Sequence, residues 1–169
     1  MRVTVLTTER LVLAPLSHAL IEKRIASSNF EVDVPDIGTV RFASHWPGDA
    51  LGMFPRLLTD EDDPVPDSYT AIERATSLAV GMLGTTSKVD ENGAIEIGYG
   101  FGVTGKGFAT EAVRALVAHL LESASIVAVT ASTSASNPAS RRVLEKNGFR
   151  QTGTKSTEED GDILVWTHN

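Results

Sequence analysis

The sequence predicts a single α/β (α+β) domain, residues 1–169, with a mixed, mostly antiparallel central sheet of about seven strands flanked by helices. Three observations carry this. The chain has 169 residues of which 41% are hydrophobic, enough for one sizeable core and too few for two comfortable ones. A strand pattern runs through a glycine-rich loop into an amphipathic helix between Glu96 and Leu121. Strand patterns separated by turn residues flank that unit, two directly before its own strand and a pair at the C-terminal end.

The elements follow in order. Leu11, Val12 and Leu13 before Pro15 make Arg10 to Ala14 a strand, and Ser17 can cap a helix carrying Leu20, Ile21 and Ile25. From Ser27 to Pro66 the periodicity is poor and broken by Pro35, Gly38, Pro47, Gly48, Pro55 and Pro64. Only a short helix within Asp49 to Leu58 is expected there, and the segment suits a substrate lip. Ser68 to Ile72, Leu78 to Thr85 and Ala94 to Val103 read as an antiparallel meander, the last two joined by Asp90-Glu91-Asn92-Gly93. Ala109, Ala112, Val113, Leu116, Val117, Leu120 and Leu121 recur at three- and four-residue steps, which predicts a helix of several turns. Ile126 to Thr130 is a short apolar strand. Asn137-Pro138 starts a helix and Asn147-Gly148 stops it. Phe149 to Lys155 and Ile163 to Thr167 flank Asp160-Gly161, a hairpin signal.

Composition limits the chemistry. There is no cysteine, so disulfides, thiolate metal sites and a cysteine nucleophile are excluded together. No metal-ligand spacing is present, and His18, His45, His119 and His168 are far apart in sequence. The N-terminal Met1 to Arg10 lacks the apolar core of a signal peptide, and no stretch approaches the roughly 20 apolar residues of a spanning helix. A soluble, cytoplasmic protein with no membrane partner is therefore expected. The formal net charge of −7 disfavours nucleic acid, whose phosphates need clustered Lys and Arg. It favours a basic or amine-bearing partner, and the acidic run Asp60-Glu61-Asp62-Asp63 is either an attractor for such a partner or a solvated loop.

The informative unit is the strand Glu96 to Val103, the loop Thr104-Gly105-Lys106-Gly107, and the helix that follows. A helix N-terminus presents unpaired N–H groups and a partial positive charge, so a phosphate there gathers several hydrogen bonds. Gly105 and Gly107 let backbone approach closely, Lys106 adds a cation and Thr110 a hydroxyl. On glycine spacing alone, an ordinary turn before a core helix is the simpler reading. A Walker loop would need Ser or Thr after the Lys, where Gly107 stands. A dinucleotide fold would need an acidic residue ending the next parallel strand, and Ile126 to Thr130 has none.

Glu96-Ile97-Gly98-Tyr99, the run Gly105 to Ala112, and Asn137-Pro138-Ala139-Ser140-Arg141-Arg142-Val143-Leu144 through Phe149 resemble the acetyl-CoA motifs of the GNAT superfamily of N-acetyltransferases. They are most similar to the branch that acetylates ribosomal-protein N-termini, as is the opening Thr8-Glu9-Arg10-Leu11. The resemblance implies a sheet splayed between its fourth and fifth strands, with the pantetheine arm of acetyl-CoA in the split. It further implies that Phe101, Gly102 and Val103 offer backbone groups to the pantetheine amides, and that Gly105, Lys106, Gly107, Phe108 and Ala109 offer N–H groups to the pyrophosphate. Asn137 would sit beside the pantetheine and Ser140 near the thioester sulfur. The chain departs from the pattern at Gly102, where Gln or Arg is usual, at Leu144, where many relatives carry a Tyr acid, and at Ala14, usually Arg. Its strand-to-loop connection is also about two residues short.

Acetyl transfer requires an amine to lose a proton and a thiolate to be stabilised as it leaves. Glu96 is the candidate base, acting through water because a carboxylate is a far weaker base than an amine; the alternatives are a partner for an internal charge or an outward strand residue. Ser140 is the candidate thiolate donor, with helix capping as the alternative, and Tyr99 is either a further donor or core packing. His45 and Trp46 form either an acceptor wall or a loop anchor, and Arg141 and Arg142 either reach the adenosine phosphates or cover a solvated helix face. The expected reaction is acetyl transfer from acetyl-CoA to a primary amine, a protein N-terminus or a small molecule, without metal. The competing reading is a non-catalytic acyl-CoA-binding sensor. A homodimer is among the assemblies compatible with either.

Overall fold

The structure is a computed structural model that describes residues 4–169; Met1 to Val3 of the N-terminal stretch read above lie outside the described residues. Ten strands and four α-helices are present among the described residues, so the mixed, mostly antiparallel α/β class is as expected while the strand count exceeds seven. By contact density the chain forms two compact units. One comprises residues up to Gly84 together with Tyr99–Ala112, and the other Thr85–Gly98 with Val113–Asn169.

In the first unit, β1 (Leu6–Thr7) pairs antiparallel with β2 (Leu11–Pro15). Ser17 caps α1 (His18–Ala26), its Oγ accepting from Leu20 N at 3.1 Å. Then come β3 (Phe30–Val34) and β4 (Gly38–Phe42), an antiparallel hairpin that the sequence reading missed. Pro35, Asp36 and Ile37 make the hairpin turn and Gly38 opens β4, with Asp36 at φ 65° and Gly38 at φ 99°. The five-residue alternation that should have signalled β3 is carried by Phe30, Val32 and Val34 turned inward and Glu31 and Asp33 exposed. A 3-10 helix (Gly48–Met53) and α2 (Phe54–Leu57) fill the stretch expected to hold a short helix. β5 (Ser68–Glu73) pairs antiparallel with β2 and with β6 (Leu78–Thr85), as a meander should.

The core of this unit gathers Leu16, Ile21, Val40, Phe42, Trp46, Phe54, Ile72 and Met82. Phe30 stacks on Phe42 at 4.8 Å, and Trp46 meets Phe42 edge-on at 4.7 Å and Phe54 at 5.4 Å. Trp46 is fully buried and its Nε1–H donates to the Gly81 carbonyl at 3.0 Å. Burial of so large a ring is tolerated because its one polar atom has a partner.

β7 (Ala94–Phe101) contributes Ala94–Gly98 to the second unit and its last residues to the first. α3 (Phe108–Leu121) is divided likewise, between Ala112 and Val113. In the second unit β7 runs parallel to β8 (Ala128–Ser134), pairing Ala94–Ile97 with Ala128–Ala131. β8 lies two residues beyond the predicted start and four beyond the predicted end. Its alternation continues through hydroxyl residues: Val129, Ala131 and Thr133 are buried while Thr130, Ser132 and Ser134 face the other way. The apolar run Ile126 to Thr130 therefore named only part of the strand. α4 (Pro138–Lys146) is capped by Asn137, whose Oδ1 accepts from Ser140 N at 3.1 Å. β9 (Arg150–Thr157) and β10 (Gly161–His168) close the chain as the expected hairpin, β10 also pairing with β8.

Trp46→Phe preserves most of the ring and removes the donor to Gly81. Losing this buried hydrogen bond together with part of the indole should lower unfolding free energy by about 1–3 kcal/mol, measured by denaturant titration at unchanged m-value.

Candidate functional site

The turn that enters α3 has its backbone bare. Residues 104–107 are exposed, and Gly105 and Gly107 both take φ 78°, a conformation that side-chain-bearing residues adopt at a cost. A Cβ built on Gly105 would meet nothing within 4 Å. Phe108, by contrast, is buried at the first helical position, and Glu111 N already bonds back to the Gly107 carbonyl at 3.1 Å. The result is an open cradle of small residues ahead of a fourteen-residue helix. That cradle has the space and the donors an oxyanion such as a pyrophosphate requires.

A residue to which the sequence reading gave no role holds this turn. Arg10 lies with its guanidinium carbon 4.6 Å from the centre of the Phe108 ring. Its Nη1 donates to the Lys106 carbonyl at 2.8 Å and its Nε to Glu111 Oε1 at 3.2 Å. The other carboxylate oxygen of Glu111 accepts from Thr8 Oγ1 at 2.9 Å and from Arg10 N at 3.3 Å. Thr8 also closes its own turn, accepting Leu11 N at 3.0 Å. The opening Thr8-Glu9-Arg10-Leu11 is thus the chemical partner of the loop ninety-odd residues on, a link that no local pattern could reveal.

Upstream of the turn, the N–H groups of Gly102 and Val103 both point at the Val80 carbonyl, at 3.0 and 3.4 Å. Any backbone group these two residues offer to a ligand is therefore a carbonyl. The absence of a longer side chain at Gly102 has a steric cause: a Cβ there would lie 2.6 Å from His45 Nδ1 and closer still to the His45 carbonyl oxygen. Neighbouring glycines repeat the theme. Gly100 admits Ala50 N and Pro47 O, and Gly48 admits the Phe101 backbone. Trp46 is an anchor of this segment and not a wall, being wholly buried, while the adjoining His45 is exposed. Of the acidic run, Asp63 accepts from His18 N and Asp60 from Asp62 N. Half of it thus serves backbone N–H groups, one of them at the start of α1.

In the second unit Glu96 is half-buried, with Oε1 accepting from Thr86 Oγ1 at 2.6 Å and Oε2 from Ser132 Oγ at 3.2 Å. Two hydroxyls hold its carboxylate, and no counter-cation is among these partners. Asn137 and Ser140 are brought together as cap and third helical residue of α4, both half-buried. Because Asn137 makes the cap, the Ser140 hydroxyl is not the group that ends this helix. Leu144 is fully buried and Ala14 nearly so, so both departures from the expected pattern are packing residues. Arg141 is half-buried with its Nε enclosed and Arg142 is exposed. His119 Nδ1 lies 3.9 Å from Glu122 Oε2 one turn on. Tyr99 is half-buried at the end of β7. Elsewhere in the first unit, burial, aided by the Asp67 charge, pushes the Tyr69 phenol up to about 12, making it a poor proton donor at neutral pH. No group of three metal-ligating side chains occurs among the described residues. None of the described helices is long and apolar enough to cross a membrane.

The family described as the acetyltransferase (GNAT) domain matches residues 10–150. No curated protein matches significantly. Solved structures align over nearly the whole chain. A GNAT-family acetyltransferase from Bacillus anthracis has TM-score 0.68 at 19% identity, covering 98% of each chain. A ribosomal-protein α-N-acetyltransferase in complex with coenzyme A has TM-score 0.64 at 17% identity, covering 98% of this chain and 97% of the other. AAC(6')-Ib in complex with ribostamycin and coenzyme A has TM-score 0.62 at 20% identity, covering 95% and 94%.

The contact at Gly102 generates a prediction. Gly102→Ala forces a Cβ against rigid backbone and should cost about 1–3 kcal/mol of stability. Gly52→Ala, where nothing lies within 4 Å and φ is ordinary, should be neutral or stabilising by up to about 1 kcal/mol. Thermal and denaturant unfolding of the two variants side by side provides the check.

Proposed function

The chain belongs to the acetyltransferase (GNAT) domain family, and from that membership we propose that it transfers an acetyl group from acetyl-CoA to a primary amine by direct attack. The observation that carries this is the bare, positive-φ glycine turn at the start of α3, which lies inside the matched residues. Gly105, Lys106, Gly107, Phe108 and Ala109 would present N–H groups to the pyrophosphate, with the Lys106 ammonium and the Thr110 hydroxyl beside them. The pantetheine would take backbone groups of Phe101, Gly102 and Val103 and the side chain of Asn137. When bound, acetyl-CoA supplies an acyl group already activated as a thioester.

The chain's own residues then have two tasks. Glu96, its carboxylate oriented by Thr86 and Ser132, would accept the amine proton through an intervening water. Ser140 would donate a hydrogen bond from its hydroxyl to the departing thiolate and so stabilise it, the thiolate taking its proton from solvent. A carboxylate bonded by two neutral hydroxyls, with no cation among those partners, suits an acceptor that arrives as an ammonium. The net charge of −7 acts in the same sense. Segment 27–66, fastened to β7 through His45 and Pro47, is the part of the first unit that would select among amines. The neighbours named above act on a ribosomal protein and carry ribostamycin, so peptide N-termini and aminated small molecules are the classes to test. A location in the cytoplasm accords with this chemistry.

Free-thiol release with acetyl-CoA and a panel of N-terminal peptides and small amines tests the proposal. Release with any one supports transfer, whereas saturable binding with no release across the panel would make the protein an acyl-CoA-binding sensor. Gly107→Asp places a negative charge in the cradle and should abolish acetyl-CoA binding in calorimetry, in a variant that remains folded. Glu96→Gln and Ser140→Ala should each keep acetyl-CoA affinity within a small factor and lower kcat about 10²-fold or more. A rise in amine KM alone would reduce Glu96 to a pocket residue.

A further inference from the structure

We propose that Arg10 is the positioning residue of the pyrophosphate turn, fixing the backbone donors of Gly105–Phe108 in the geometry that receives acetyl-CoA; this rests on the acetyl-CoA reading above. A run of exposed glycines at positive φ has many accessible conformations, and nothing within the turn selects one. The selection comes from outside it. Arg10 uses its rigid fork at two points that bracket the turn, the Lys106 carbonyl before Gly107 and the Glu111 carboxylate four residues later. Its flat face lies over Phe108 between them. The remaining nitrogen, Nη2, stands 3.5 Å from where a Gly107 Cβ would be, so the guanidinium also lines the turn from below.

The arrangement accounts for Glu111 as well. A carboxylate in the first turn complements the helix dipole, yet it would repel an incoming phosphate. Paired with Arg10 and bonded by Thr8 Oγ1 and Arg10 N, its charge is neutralised and turned toward the β1–β2 turn. Arg10 is itself fixed at its carbonyl, which accepts Arg74 N at 2.9 Å. Each bond belongs to one frame whose free side is the bare turn.

A brace of this kind acts on the pyrophosphate and not on the thioester end, and a general loss of folding would act on both. Binding of acetyl-CoA and of S-acetylpantetheine, which has no pyrophosphate, should therefore be compared by calorimetry in the wild type, Arg10→Gln and Arg10→Lys. Both variants should weaken acetyl-CoA by about tenfold or more, since Lys keeps the charge but cannot bridge two sites. Affinity for S-acetylpantetheine should stay within about twofold. Should Arg10→Gln melt far below the wild type, Glu111→Gln weakens the same pair with less disturbance and should show the same selectivity for the pyrophosphate ligand. Variants that bind acetyl-CoA like the wild type, or lose both ligands equally, overturn the positioning role. A wild type that binds neither ligand overturns the acetyl-CoA reading itself and this inference with it.

Discussion

The ion pair between Arg10 and Glu111 is the interaction on which the first unit's functional end depends. As a source of stability it is modest: the Arg10 side chain is 43% exposed and Glu111 19%, and pairs open to water contribute about 0–1 kcal/mol. Its importance is geometric. A turn of bare, exposed backbone cannot be held by its own side chains, so its conformation is set by residues distant in sequence. Thr8, Arg10 and Arg74 impose it, linking the β1–β2 turn, the end of β5 and the first turn of α3.

A second constraint acts one step upstream. Gly48, Gly100 and Gly102 let segment 45–50 lie against the end of β7 at distances no side chain would permit, and Trp46 locks the segment into the core. Departure from the family's usual residue at Gly102 is then one half of an exchange, in which backbone and imidazole of His45 occupy the volume a long side chain would take. Residues 45–50 of the stretch 27–66 are consequently registered against the strand that leads to the turn.

Much of this was legible in residue order. Caps and stops made of Ser17, Asn137-Pro138 and Asn147-Gly148 are local signals, and α1 and α4 fall where they indicate. β6 runs over the same residues as its apolar run, because a strand buried along its length has no alternation to misread. The misses have equally physical origins. The β3–β4 hairpin was hidden because Pro35 and Gly38 break a run that is only five residues long on either side. β8 was cut short because Ser132 and Ser134 look like loop while serving as the outward half of an alternating strand. Arg10 escaped notice because its partners, Lys106 and Glu111, lie about a hundred residues away, and only the folded chain brings them together.

Direct observation of the turn decides the central claim, that its backbone amides are the ligand's seat. Backbone amide resonances should be followed by NMR as acetyl-CoA is added to the wild-type protein. The account predicts saturable perturbations that are largest at Gly105, Lys106, Gly107, Phe108 and Ala109. Saturable binding of acetyl-CoA that leaves those five amides unmoved would contradict it.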